Sequence, residues 1–420
     1  MSLLAVAGVL ITLTALLAWL NERTLRLPPA IGVMVGGFLA SLAVLGLGAA
    51  GFGTREWAGQ LLARVPFDDL LMEGMLSYLL FAGALHVDLS ELLRQRWTVL
   101  TLATVGVVFS TFLVGGAIVF LLPLLGLALP FAFALLFGSL ISPTDPIAVL
   151  AILKKAGAPS ELRSLITGES LFNDGVGVVV FSVIAGIAVH GRQLDPASIG
   201  LLFVEEAIGG VIFGLGLGFV AYHLLRRVDD HSVEVLITLA TVQGGYALAL
   251  ALHTSGPIAM VVAGLFIGNR GRMFAMSDNV RRRLDEFWEM TDEILNAILF
   301  LIIGLEVLVL DWSPAKIIAG LVAIPLVLGA RWLTVGGAVT ARRRRRTFPP
   351  GTVRLMTWGG LRGGISVALA LSLPPSSERD LIVAITYVVV FFSILVQGLT
   401  VGPLVRLLSH PKTVPGGTAA

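Results

Sequence analysis

The chain has 420 residues, of which 56% are apolar and 13% are Asp, Glu, Lys or Arg, with a net charge of +2 and a mean hydropathy of +0.93. Soluble domains carry about 25% charged residues, so this composition excludes one. There is no cysteine, which excludes disulfides and thiolate metal sites.

Apolar runs of about 20 residues, each long enough to cross a bilayer core, recur from end to end. Alternating segments of about ten residues, the mark of a membrane β-barrel, are not visible. The first run, MSLLAVAGVLITLTALLAWL, has no basic leader and outlasts a signal core, so it reads as a first span rather than a cleaved signal. The expectation is an all-α polytopic membrane protein. Thirteen spans are placed near 2–20, 28–49, 67–87, 97–122, 130–153, 162–190, 199–225, 234–252, 256–268, 286–310, 314–340, 352–373 and 379–408. The ninth is short, and the tenth opens on the polar turn DEFWEMTDEIL.

Charge tests the count. With the N-terminus outside, the outer loops hold only Arg55, Arg64, Arg192, Lys316 and Arg379. Arg331 and Arg362 fall within spans, leaving 22 of the 29 Lys and Arg residues on the inner side. The expected location is therefore a cell (inner) membrane, with the N-terminus outside and the C-terminus cytoplasmic. The run Arg342 to Arg346 reads as a topology anchor, with anionic lipid binding as the sharper alternative. Residues 411–420 read as a short disordered tail. Loops are short, so function is expected inside the bundle.

Ionisable residues at membrane depth are costly and default to functional hypotheses. In span five, ISPTDPIAVL sets Thr144 and Asp145 between Pro143 and Pro146. Each proline removes a backbone donor, so the helix is expected to unwind and restart, freeing carbonyls that suit a bare cation. In span six, TGESLFNDGVG puts Ser170 and Asp174 four apart on one face and Glu169 and Asn173 on the next. Gly175 and Gly177 allow another helix to approach closely. The plainer readings are a proline kink in span five and interhelical polar glue in span six. In span ten, Glu306 lies near the outer end, where it is equally able to snorkel to the interface. Arg331 in span eleven is a possible partner for a buried acid. In span twelve, WGGLRGGISVALAL flanks Arg362 with four glycines and again suggests a broken helix; Glu169 is the partner chosen for Arg362. Two interrupted spans seven apart fit inverted six-helix repeats joined by one span, although no sequence repeat is evident.

The segments SPTDPIAV (142–149), GESLFNDGVG (168–177) and WGGLRGGISVALAL (358–371) together resemble the monovalent cation/proton antiporters of the NhaP/NHE type. GNRGR (268–272) and FLIIGLE (300–306) fit more weakly, and the likeness extends over roughly residues 5 to 410. The resemblance implies Asp174 as the aspartate that holds cation and proton in turn. It implies Asn173 as the mark of electroneutral members, and Thr144, Asp145 and Ser170 as further Na⁺ ligands. Glu169 and Arg362 match a structural ion pair. The family fold implies one antiporter domain over residues 1–410, usually a homodimer. A core part would include spans 4–6 and 11–13, with a dimerisation part from the remaining spans. One departure is noted: the third-span position where some relatives carry an acid is Ala82 here.

These features predict exchange of Na⁺ or Li⁺ for H⁺ by alternating access, 1:1 and electroneutral because Asn173 is neutral. Na⁺, Li⁺ and H⁺ are the expected substrates and the lipid bilayer the expected surroundings. No cofactor, enzymatic activity or nucleic-acid partner is expected. The alternative within the fold is K⁺/H⁺ exchange or another ion-coupled carrier. A channel lacks a visible filter repeat, and an intramembrane enzyme lacks HExxH, GxSxG and a midspan His.

Overall fold

The computed structural model describes residues 3–50, 74–145, 147–155, 157–189, 191, 196–271, 277–308, 310, 312–343 and 348–409. Pro146, the start of the third span (67–73), Arg272, Arg344 to Arg346 and the tail 411–420 lie outside them.

All thirteen expected spans contain helix. The helices are α1 (Leu3–Arg23), α2 (Pro29–Ala49) and α3 (Leu76–Leu85), followed by α4 (Leu89–Thr101, continuing to Leu125). Next come α5a (Phe131–Ile141), α5b (Ile147–Lys155), α6 (Ser160–Ala188), α7 (Pro196–Leu225), α8 (His231–Ala251) and α9 (Gly256–Phe266). The last are α10 (Asp278–Glu306), α11 (Pro314–Arg342), α12a (Thr352–Trp358), α12b (Gly364–Leu371) and α13 (Ser377–Phe392, continuing to Ser409). By length and composition, eight of the described helical stretches can cross a membrane unaided. The halves of the two broken helices, α5 and α12, are too short to do so alone.

Backbone groups in a bilayer must be satisfied internally, which is why helix dominates. Starts are closed by side-chain caps: Asp88 Oδ1 accepts from the Ser90 amide at 2.7 Å, and Asp230 Oδ1 from that of Ser232 at 2.9 Å. Hydroxyls within spans fold back on their own helix, as when Thr111 Oγ1 donates to the Val107 carbonyl at 2.9 Å.

The helices pack in two groups. In one, α4, α5, α6, α11, α12 and α13 pack mainly on one another; in the other, α1, α2, α3, α7, α8, α9 and α10 do so. Contacts of α6 with α7 and α9, and of α10 with α12b, join the groups. The buried apolar residues also divide by depth. One cluster holds Phe137 and Leu140 before the first break and Leu369 after the second. The other holds Val149 and Leu153 after the first break and Leu355 and Met356 before the second. The two unwound segments meet between these clusters, joined by an antiparallel bridge in which the Asp145 amide donates to the Leu361 carbonyl at 2.8 Å. Gly177 lets α6 lie on the first break, since a Cβ there would stand 2.2 Å from Pro143 Cγ.

Candidate functional site

The first break follows from backbone chemistry. In a continuous helix the Ser142 carbonyl would accept from the amide of residue 146, and proline has none to give. Arg362 supplies the missing donor. Its Nη1 donates to the Ser142 carbonyl at 2.5 Å and to the Pro143 carbonyl at 2.6 Å. These two freed carbonyls therefore serve a guanidinium and not a cation, which narrows the expectation from sequence. The second break is held from α13, where Ser393 Oγ accepts the Arg362 amide at 2.9 Å and donates to Gln397 Oε1 at 2.7 Å. Gln397 Nε2 in turn donates to the Trp358 carbonyl at 2.8 Å. Residues Ser393–Gln397 form a π-helical turn, a distortion that recurs at functional sites. Neither residue was singled out in the sequence, although two polar groups four apart in FFSILVQGL were the available signal.

The expected partner of Glu169 is corrected. Glu169 pairs with Arg331 of α11, whose two terminal nitrogens meet its two carboxylate oxygens in a fork. Arg331 Nε also reaches the Met356 carbonyl at 3.3 Å. The reason is positional: α11 packs along α4 and α12a beside α6, while the orphaned carbonyls of α5 hold Arg362.

Thr144 is clamped from α6. Its amide donates to Asn173 Oδ1 at 3.3 Å, its Oγ1 accepts from Asn173 Nδ2 at 2.9 Å, and its Oγ1 lies 3.0 Å from Ser170 Oγ. Thr144, Ser170 and Asn173 are all buried. Asp145 is half-buried, with its carboxylate over the backbone of Gly363. A Cβ at Gly363 would stand 2.0 Å from Asp145 Oδ2, so the close approach requires glycine there.

Asp174 lies one turn beyond Ser170 on α6 and is 6% exposed. It makes no hydrogen bond among the described residues. The charges that reach it are those of Asp145, Arg362 and Glu169. The seven residues singled out in spans five, six and twelve are thus brought to one layer, with Arg331 added to them.

Two other residues fall differently. Glu306 is 4% exposed, with Oε2 lacking a hydrogen-bond partner among the described residues, so it is buried rather than snorkelled. Ala82 is buried, and its position in α3 presents a methyl group.

The sodium/hydrogen exchanger transmembrane family matches residues 10–407. The chain is 53% identical over 409 residues to the Na⁺/H⁺ antiporter NhaP of Pseudomonas aeruginosa, covering 96% of each chain. It is 37% identical to the Na⁺/H⁺ antiporter NhaH of Halobacillus dabanensis, covering 81% of this chain and 84% of that relative. Its fold is similar to that of the sodium proton antiporter MjNhaP1 of Methanocaldococcus jannaschii, with a TM-score of 0.74, 20% identity, and 97% and 99% of the two chains covered. On the strength of these matches over nearly its whole length, the chain belongs to the sodium/hydrogen exchanger family, a family of membrane transporters and not of enzymes.

Proposed function

We propose that this protein exchanges Na⁺ or Li⁺ for H⁺, with the two ions competing for Asp174. One observation carries the reading. Asp174 is buried beside both helix breaks without a hydrogen bond among the described residues, while the bonds of the two buried arginines go to Glu169 and to backbone carbonyls. A buried carboxylate left in that state needs a proton or a cation, and the charge of one disfavours the other. Asp174, Asp145, Ser170 and Thr144 supply the oxygen ligands for Na⁺, with water completing the shell. Glu169, Arg331 and Arg362 hold the surrounding backbone, and Asn173 holds Thr144. If only loaded forms cross between the two faces, exchange is coupled without a separate gate for each ion.

Asn173 is neutral, so one H⁺ leaves for each Na⁺ and the cycle carries no net charge. Imposing a valinomycin/K⁺ potential on reconstituted vesicles leaves the rate unchanged on this reading, and a strong response rejects it. The group containing α1–α3 and α7–α10 is the dimerisation scaffold against which the other group moves. The N-terminus lies outside and the C-terminus in the cytoplasm. The buried methyl of Ala82 favours one second reading, K⁺/H⁺ exchange, because a ligand set poorer in charge suits a larger, weakly hydrated cation.

The deciding experiment is recovery of acridine fluorescence in inside-out vesicles on adding Na⁺, Li⁺ or K⁺, for the wild type and Asp174→Asn. Collapse of the pH gradient by Na⁺ or Li⁺ in the wild type alone supports the reading. Normal transport by Asp174→Asn rejects it, and a response to K⁺ alone selects the second reading.

A further inference from the structure

α10 carries an acid that the scheme above does not use. Asp292 is half-buried, and Asn296 and Leu299 follow it on the same helical face. Trp288, one turn earlier, is buried with its ring 4.8 Å from that of Phe81 on α3. Leu299 packs on Gly364 at the start of α12b, where a Cβ would stand 2.4 Å from its Cδ1. Asp292 therefore lies about two turns before the point where α10 meets α12b on the seam between the two helix groups.

Its surroundings are those of a cation ligand. No lysine or arginine pairs with it among the described residues. The charges that reach it are Asp145 across the seam and Glu293 and Glu289 on its own helix, all acidic. The Asn296 side chain donates to its carboxylate. The Asn296 amide is 3% exposed, and its oxygen has no hydrogen-bond partner among the described residues. Buried amide oxygens are almost always bonded, so this open acceptor beside a carboxylate asks for a donor or a cation. Toward the C-terminal end of α10, Met75, Leu76, Leu79, Leu299, Gly364 and Ala368 close around a cavity of only about 10 Å³. Asp292, about two turns earlier on α10, keeps part of its surface open.

We infer that Asp292, supported by Asn296, is a further carboxylate ligand for the transported cation, presented by the scaffold group to the face at which α10 begins. The inference rests on the antiport reading. Movement of one group against the other separates Asp145 and Asp174 from Asp292, so Asp292 serves the cation on one face of the cycle and not the other.

The test is the initial rate of H⁺ movement in oriented vesicles, with Na⁺ titrated separately on each face, for the wild type, Asp174→Asn, Asp292→Asn and Asp292→Glu. Loss of a bond to a charged group corresponds to about a tenfold or greater rise in half-saturation. That rise is expected in Asp292→Asn for Na⁺ on the cytoplasmic face only, with the rate at saturating Na⁺ within about twofold of wild type and most of the affinity regained in Asp292→Glu. An unchanged half-saturation, an equal rise on both faces, or a loss that high Na⁺ does not restore overturns the inference. If Asp292→Asn does not fold, Asp292→Glu decides: a smaller cytoplasmic-side rise supports the inference, and a wild-type value overturns it. A wild type that ignores Na⁺ fails the antiport reading itself. A responsive wild type with an unaltered Asp292→Asn fails only this inference.

Discussion

Glu169 and Asp174 stand five residues apart on one helix, both at the buried layer, and their surroundings differ in kind. Glu169 meets a guanidinium with both oxygens and has nothing left to exchange. Asp174 has no hydrogen bond among the described residues and is reached by charges of both signs, those of Asp145, Glu169 and Arg362. The difference separates an acid that holds the bundle together from one that can change its counter-ion. A fully paired buried ion pair is costly to break, whereas an open carboxylate must take up a proton or a cation.

The largest expected effect tests the Asp174 side of this comparison. Asp174→Asn should reduce Na⁺-driven collapse of the pH gradient to background while leaving the thermal midpoint of the detergent-solubilised protein at or above the wild-type value, since no hydrogen bond is lost. A large drop in midpoint would move Asp174 into the structural class. The converse change is Glu169→Gln, which leaves Arg331 buried and unpaired. Breaking such a pair costs about 3–5 kcal/mol, read as poor yield and an early thermal transition. Combining Glu169→Leu with Arg331→Met should recover most of that stability but not necessarily the transport rate. A double variant no more stable than Glu169→Gln would contradict the pairing.

Arg362→Lys comes next. The lysine keeps the charge but cannot match the fork that serves the Ser142 and Pro143 carbonyls, so about 1.5–3 kcal/mol should be lost. Urea or thermal titration of the purified protein measures it, and wild-type stability would mean that the arginine does not hold the break. Ser170→Ala is smaller. It removes one neutral contact to Thr144, worth about 0.5–1.5 kcal/mol, and should raise the half-saturating Na⁺ by no more than about tenfold. The smallest effect is expected at Glu306. Because its Oε2 is already without a partner among the described residues, Glu306→Gln should leave the Na⁺ dependence of transport within about twofold of wild type. A larger change would bring that buried acid into the ion path.

Much of this was legible in the residues. Span positions follow from runs of apolar side chains, whose length is set by bilayer thickness. The breaks are legible less directly. Pro143 marks one, yet Pro325 sits inside α11 and Pro403 inside α13 without ending either helix. What distinguishes the broken site is polar company: Thr144 and Asp145 beside prolines, and Arg362 among glycines. Partner choice was not legible. Arg331 and Arg362 are both single arginines in apolar spans, and nothing local says which one meets Glu169. Asp292 was hidden for the opposite reason, since it lies in a charged turn, DEFWEMTDEIL, that resembles a solvated helix start.

The chain order of side chains therefore carried the membrane class, the span count, the two interruptions and the residue types at the candidate site, because each depends on neighbours within a few turns. Which guanidinium closes Glu169 and which carbonyls Arg362 satisfies depend on contacts between helices many residues apart in sequence. Those contacts come from packing α6 against α5 and α4, α11 against α4 and α12a, and α10 against α12b, and no local pattern encodes that geometry.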